Sequence, residues 1–332
     1  MIELSICISV HNTADYLPRC LDSIIALDNL EYEIIIVNNG STDNSEEIML
    51  RYQKKYPNIH IIRQNDMGLA QGRQTGVNNA RGEYITFLDA DDYVFNNVYE
   101  KAVNYAKSHD LDVVEFCTKR GDLVLKSSMD GIHNSHEVLK EYFWGSKTIY
   151  PMMWLRIYKR SLFESKPVLP KLYVNNEDIF AYPCILFSAS QIGFLPDVGH
   201  NYSVDNSSAV MTQLRKDKNY SKKYYENRKK TLLCIKHIEK FIGKDIIDDE
   251  FYKEFQQYKQ RTMITYLFSD INGVSISRLK NDLVKQFGFT NKRQLMKFIK
   301  TNTGNKSDVN KIIKCFGFNI AYLFHRIRKA TR

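Results

Sequence analysis

Six cysteines are spread over 332 residues, at Cys7, Cys20, Cys117, Cys184, Cys234 and Cys315, and no two of them form a C-x-x-C pair. That scatter excludes a zinc ribbon or a dithiol redox centre. The apolar neighbours of each point to buried thiols in a reducing compartment. Long apolar runs are also lacking: Cys315 to Phe324 falls well short of the roughly 20 residues needed to cross a bilayer. The opening stretch Ile2 to Val10 contains Glu3 and has no basic lead, so it reads as a strand and not as a signal peptide. No long repeat or low-complexity segment is present. Helix-turn-helix, zinc-finger and RRM signatures are absent, which puts nucleic acid last among the candidate partners. So is a Gly-rich, Lys-containing N-terminal loop for a triphosphate.

What is present is divided unevenly along the chain. The net charge is +9, but residues 1 to 210 hold 19 basic and 27 acidic side chains (−8), and residues 211 to 332 hold 28 and 11 (+17). With 43% hydrophobic residues the chain can bury a full core and is long enough for about two domains. The break falls near Met211, between an α/β domain over 1–210 and a basic, helix-patterned region over 211–332.

The first half alternates between two periodicities. Leu4 to Val10 reads as a strand, and Leu17, Cys20, Leu21, Ile24 and Ile25 then recur at helical spacing. Glu31 to Val37 is a second strand, and Asp43 followed by Glu46 marks a helix start. Ile59 to Arg63 is a third strand, a helix follows from about Leu69 to Ala80, and a fourth strand begins at Tyr84. Strands alternating with helices predict right-handed crossovers and a largely parallel sheet, with the polar clusters that follow the strands gathered on one edge. The fourth strand stops at three carboxylates, Asp89, Asp91 and Asp92. Asp-x-Asp supplies hard oxygen ligands suited to Mg²⁺ or Mn²⁺, and such a cation can in turn hold a diphosphate.

Four ordered segments resemble an inverting, family 2 type glycosyltransferase with the GT-A fold. Ser9, Val10, His11 and Asn12 stand where the family carries P-x-Y-N. Val37-Asn38-Asn39-Gly40-Ser41-Thr42-Asp43 stands at V-D-D-G-S-T-D, and Gly68 to Gly76 at G-L-S-x-A-R-N-x-G. Ala80 to Asp92 follows A-x-G-x-Y-I-x-F-L-D-x-D-D almost letter for letter. The strong resemblance covers about the first 120 residues and a weaker one reaches about residue 212. It implies a GT-A nucleotide-diphospho-sugar transferase fold. It further implies nucleotide-sugar contacts from Ser9, His11, Asn12, Asn38, Asn39, Gly68, Arg73, Asp89, Ala90 and Asp91. Asp91 would meet the metal directly, and Asp89 would reach the ribose or the metal through water. Asp92 reads as a structural turn partner. Two departures stand in the base site. Asn38 replaces an aspartate that meets uracil in the family, although an amide oxygen still accepts a hydrogen bond. His11 replaces a tyrosine and keeps a flat ring. Arg73 offers a guanidinium to phosphate or to the acidic cluster.

Inversion at the sugar carbon needs a base opposite the leaving group. Asn175-Asn176-Glu177-Asp178 resembles the family's downstream E-D segment, with Asp178 as the base and Glu177 orienting it or binding the acceptor. Helix capping is the competing role for both acids. His200, in G-H-N-Y-S, is a further candidate ligand for Mn²⁺. Trp154 is either an acceptor-site wall or a core residue.

The basic region, with Lys222-Lys223-Tyr224-Tyr225 and Arg228-Lys229-Lys230, suits an anionic membrane surface. An acidic acceptor would use the same charge, and a solvated helical face would also carry it. The expectation is a cytoplasmic enzyme, peripheral on the inner face of the plasma membrane. It uses a UDP-sugar and a glycan or lipid-linked glycan acceptor in polysaccharide synthesis, with Mn²⁺ or Mg²⁺ as cofactor. A nucleotidyltransferase, and a noncatalytic module that binds sugar nucleotide or glycan, are the alternatives.

Overall fold

A computed structural model describes residues 1–204 except 26, 28, 96, 145–148, 165, 167 and 171–176, then 206, 235–242 and four residues between 252 and 258. The basic clusters at 222–230 and the last segment lie outside the described residues. The chain falls into two compact units, Met1–Gln213 with Leu233–Asp248, and Leu214–Leu232 with Asp249–Arg332. Among the described residues no helix is long and apolar enough to cross a membrane.

Among the described residues the first unit is built on a ten-stranded sheet. Its opening half alternates β1 (Leu4–Val10), α1 (Leu17–Ile25), β2 (Tyr32–Asn39), α2 (Ser45–Lys55), β3 (Ile59–Gln64), α3 (Leu69–Asn79) and β4 (Tyr84–Phe87). β3, β2, β1 and β4 lie side by side and all parallel, as the alternating periodicities predict. β5 (Tyr93–Val94), α4 (Val98–His109), β6 (Val113–Arg120), β7 (Leu123–Leu125), β8 (Gly131–Asn134) and α5 (Ser135–Trp144) follow, then β9 (Arg156–Lys159), α6 (Asp178–Ser188) and β10 (Gln191–Asn201). This second half is mixed. β9 is antiparallel to both β4 and β6, and β10 is parallel to β6. Two antiparallel steps return β6 and β10 to the direction of β4, so all three end on the same edge. A further helix, α7 (Ile235–Ile242), belongs to the first unit, where His237 and the Phe241 carbonyl bond Val168 and Lys166.

Strand alternation decides which helix covers which face. Leu4, Ile6, Ile8, Val10, Ile34 and Ile36 share one core with Leu17, Leu21 and Ile24 of α1 and with Val98, Tyr99, Ala102 and Val103 of α4. α3 lies on the opposite face, and its glycines set the distance. A Cβ at Gly72 would stand 2.1 Å from Ser9 Oγ, and one at Gly76 would stand 2.9 Å from Cys7 Cβ. Cys7, Cys20, Cys117 and Cys184 are all buried and free, as their apolar contexts predict.

Candidate active site

The site is assembled on the edge where β1, β2, β4, β6 and β10 end. After β1, Asn12 adopts a left-handed conformation (φ 53), which asparagine tolerates better than most residues. Its Oδ1 accepts the N–H groups of Thr42 (2.7 Å) and Asp43 (3.3 Å), tying the β1 loop to the β2 loop. Asp43 sits just ahead of α2. Its Oδ1 accepts from Ser45 N–H (3.0 Å) and its Oδ2 from Ala14 N–H (3.0 Å), so the acid read as a helix start also bridges loops. His11 Nδ1 lies 2.9 Å from the Asn39 carbonyl oxygen, which requires the proton on Nδ1.

The two asparagines that end β2 are buried and engaged. Asn38 donates to Glu46 Oε2 (2.9 Å) and accepts from Ser41 N–H (3.0 Å). Asn39 donates to Asp66 Oδ1 (3.3 Å) and accepts from Gln64 (2.7 Å) and Met67 N–H (3.2 Å). An aspartate at position 39 could not make the first of these bonds. The departure therefore fits a carboxylate partner, Asp66, in the loop that leads to Gly68. Gly68 (φ 80) turns the chain into α3.

Because Gly72 lets α3 lie close on β1, the next residue, Arg73, is carried inward and is only 4% exposed. Its guanidinium donates to Asp89 Oδ1 (2.7 Å) and to Glu177 Oε1, and packs over the Phe87 ring. Arg73 thereby joins the acidic turn after β4 to the Glu177–Asp178 pair at the start of α6, 104 residues away in sequence. The contact to Asp89 is the one the sequence offers between Arg73 and the acidic cluster. Burial raises the Glu177 and Asp178 carboxyls above the ordinary range, and Arg73 opposes that rise. Asp178 Oδ1 also accepts from its neighbour Ile179 N–H (2.9 Å) in the first turn of α6, whose cap residue, Glu177, makes no side-chain capping bond.

The acidic turn is held from the other side by contacts that no motif marks. Arg19 of α1 donates to the Asp91 carbonyl (3.0 Å) and to Ser203 Oγ (2.8 Å), and lies over the Tyr93 ring. Asn206 donates to Asp91 Oδ2 (2.7 Å), and Ser203 N–H donates to Asp92 Oδ1 (2.7 Å). Ala90, between the two acids of Asp-x-Asp, is buried. Burial, and then the charges of Asp92 and Asp89, push Asp91 up to about 6.

Asp92 is the turn partner that its position suggested, and His200 lies beside it. His200 Nε2 is 3.4 Å from Asp92 Oδ2, and its Nδ1 is 2.8 Å from Thr118 Oγ1. The ring stacks on Trp154 at 4.2 Å between centroids, and its burial lowers it to about 3, so it is neutral. The imidazole read as a candidate metal ligand thus turns one nitrogen to Asp92 and the other to Thr118, and Trp154 is buried packing and not an exposed wall. Among the described residues no three His, Cys, Asp or Glu side chains converge to hold a metal. The donor set still suits Mg²⁺ or Mn²⁺, which bind through one or two carboxylates and fill the remaining positions with water and substrate phosphates.

Residues 5–165 match the family described as Glycosyl transferase family 2. The uncharacterized glycosyltransferase YibD of Escherichia coli is 28% identical over 263 residues, covering 76% of each chain. The poly(ribitol-phosphate) beta-N-acetylglucosaminyltransferase TarS of Staphylococcus aureus is 23% identical over 222 residues, 64% of this chain and 37% of TarS. The crystal structure of TarS 1–349 in complex with UDP superimposes with a TM-score of 0.58 at 19% identity, covering 88% of this chain and 76% of that one. The mannosyltransferase PcManGT of Pyrobaculum calidifontis, in complex with GDP-Man and Mn²⁺, gives 0.54 at 16% identity, covering 95% and 87%. With the parallel β3-β2-β1-β4 core and the acidic turn at its edge, these likenesses identify residues 5–165 as a family 2 glycosyl transferase domain of the GT-A fold, and the protein as a glycosyltransferase.

Proposed function

We propose that this chain is a metal-dependent, inverting glycosyltransferase that moves a sugar from a nucleotide donor, a UDP-sugar, to a hydroxyl of a glycan or lipid-linked glycan in cell-surface polysaccharide synthesis. In this reading residues 1–210 are catalytic, and the basic region 211–332 serves the acceptor or the cytoplasmic membrane face. The observation that supports it is the Arg73 bridge, which joins Asp89 of the acidic turn to Glu177, the neighbour of the candidate base Asp178.

In this reading Ser9, His11, Asn12, Asn38, Asn39, Gly68 and Ala90 surround the nucleotide. Asp91, with Asp89, would hold Mn²⁺ or Mg²⁺, and His200 enters through Asp92, which its ring faces. A cation there would supply positive charge to the departing nucleoside diphosphate. Asp178 accepts the proton of the acceptor hydroxyl as that oxygen forms its bond to the sugar carbon. A raised carboxyl is a stronger base than an ordinary aspartate and suits that task. Glu177 is a positioning residue: fixed on Arg73, it holds the first turn of α6 against the acidic turn. Support for the donor class comes from the UDP and GDP-Man bound by the structural neighbours, and for the metal from the Mn²⁺ of one of them.

Calorimetric titration of UDP, GDP, CDP and dTDP, with Mn²⁺ and with chelator, tests the reading. The expected result is metal-dependent binding of UDP that is lost in Asp91→Asn. Binding of another nucleotide would replace the donor, and binding that ignores both metal and Asp91 would overturn the metal-dependent mechanism.

A further inference from the structure

The β6–β7 hairpin is a feature that the transfer reaction leaves unused. β7 bonds to β6 alone among the described strands, with Thr118 opposite Leu125 and Arg120 opposite Leu123. Successive strand residues point to opposite faces, yet Leu123 is 66% and Val124 50% exposed. Both faces of the ribbon therefore stand clear of the body. The turn is open as well, since a Cβ on Gly121 (φ +58) would meet nothing within 4 Å. Around the two apolar residues stand exposed Lys119, Arg120 and Lys126, with Asp122 the acid among them.

The hairpin also has a definite place relative to the site. β6 runs in the direction of β4, so the ribbon leaves the sheet from the edge that carries Asp89 to Asp92. Its root is fixed to the wall of the site. The Lys119 carbonyl accepts from Tyr202 N–H (2.8 Å), and the Arg120 guanidinium lies 5.4 Å over the Tyr202 ring. The next residue, Ser203, is the one that bonds Asp92.

The geometry points to an anionic lipid surface as the partner of this hairpin, with Leu123 and Val124 entering the interface and Lys119, Arg120 and Lys126 meeting the headgroups. An added β-strand would engage the open backbone edge and leave both apolar faces in water, whereas an interfacial layer covers both faces at once. A soluble polyanion would use the cations and leave the leucine and valine without a role. Docked in this way, the acidic edge faces the bilayer, the side from which a lipid-linked acceptor would arrive. The inference rests on the hairpin and stands whichever nucleotide the donor site takes.

Flotation of the intact chain with vesicles of phosphatidylglycerol and phosphatidylcholine, and of phosphatidylcholine alone, tests it. Comparison variants are Leu123→Asp with Val124→Asp, and Lys119→Gln with Arg120→Gln. The apolar pair is expected to lower partition onto the anionic vesicles by about tenfold or more, given the usual gain from burying two such side chains. The cationic pair is expected to lower it by roughly tenfold and to flatten its salt dependence. Thermal unfolding of the Leu123 and Val124 variant stays unchanged, because both side chains are exposed. Wild-type partition by the apolar pair overturns the inference, even if soluble polyphosphate then competes for the cations. So does a dimer-to-monomer change in light scattering without loss of vesicle binding, which would make the edge a contact between two copies.

Discussion

Buried carboxylates occur at both ends of the parallel strands and are treated in opposite ways. At the end where β2 begins, Glu33 accepts from Ser5 Oγ (2.7 Å), Arg81 N–H (2.7 Å) and the Arg81 guanidinium at Nε (2.9 Å) and Nη2 (2.6 Å). Burial raises its carboxyl, but these bonds outweigh burial and hold it below the usual range. At the other end, Asp89, Asp91 and Asp92 crowd one turn. Burial and then acidic neighbours push both Asp91 and Asp92 upward, Asp92 and Asp89 acting on Asp91 and Asp89 on Asp92, and among the described residues Asp92 Oδ2 has no hydrogen-bond partner. A carboxylate that only holds strands together is given its donors by the fold. Acids left to repel one another cost stability, and that cost identifies the edge where a cation or a cationic group is called for.

The largest break in this comparison is expected from the site acids. Asp178→Asn should lower transfer by about 10²–10⁴-fold, the usual weight of a general base, with nucleotide affinity unchanged. In the wild type the rate should fall as pH drops through the Asp178 pKa. Because that pKa is raised, the acid limb lies above the ordinary aspartate range. A kcat–pH profile with its acid limb at or below 3.8 would remove Asp178 from the role.

Next in size is Arg73→Ala, which strands Glu177 and Asp89 without their shared cation. Denaturant unfolding should show a loss of about 3–5 kcal/mol, as for other broken buried pairs. Arg81→Ala provides the contrast. The Arg81 side chain is 61% exposed, so water can replace it, and the Ser5 and backbone bonds to Glu33 remain. Its loss should be about 1 kcal/mol or less.

Between these lies Glu33→Gln, expected to cost about 1–3 kcal/mol at neutral pH with no effect on transfer. Its pH dependence sharpens the contrast. A carboxyl whose folded pKa is lowered contributes stability above its unfolded value of 4.5 and loses it as pH falls through the folded value. Urea unfolding of wild type and variant should therefore converge below pH 4.5. A gap that persists in acid would assign the effect to packing.

Much of the first half was legible because its signals are local. The strand and helix of each unit follow from apolar periodicity, and Asp-x-Asp follows a strand that reads as buried. Boundaries moved where hydrogen bonds decided them: β2 continues through Asn39, and α2 begins at Ser45 after the Asp43 bridge. The second half was less legible, since β9 and β10 join the sheet through pairings that span 41 to 82 positions. Arg19, Ser203 and Asn206 carry no local mark. An arginine on an amphipathic helix reads as solvated until the turn it clasps is known.

By itself, the sequence determined the alternating βα units, the acidic turn, the Glu-Asp pair and the glycines at Gly72 and Gly76, because each depends on residue type and short spacing. Only the tertiary structure decided that Arg73 bridges Asp89 to Glu177, that His200 faces Asp92, that Arg19 clasps Asp91 to Ser203, and that the β6–β7 hairpin leaves from the acidic edge. Those relations are set by strand register and by how closely a helix can approach a sheet, and both depend on residues far apart in the chain.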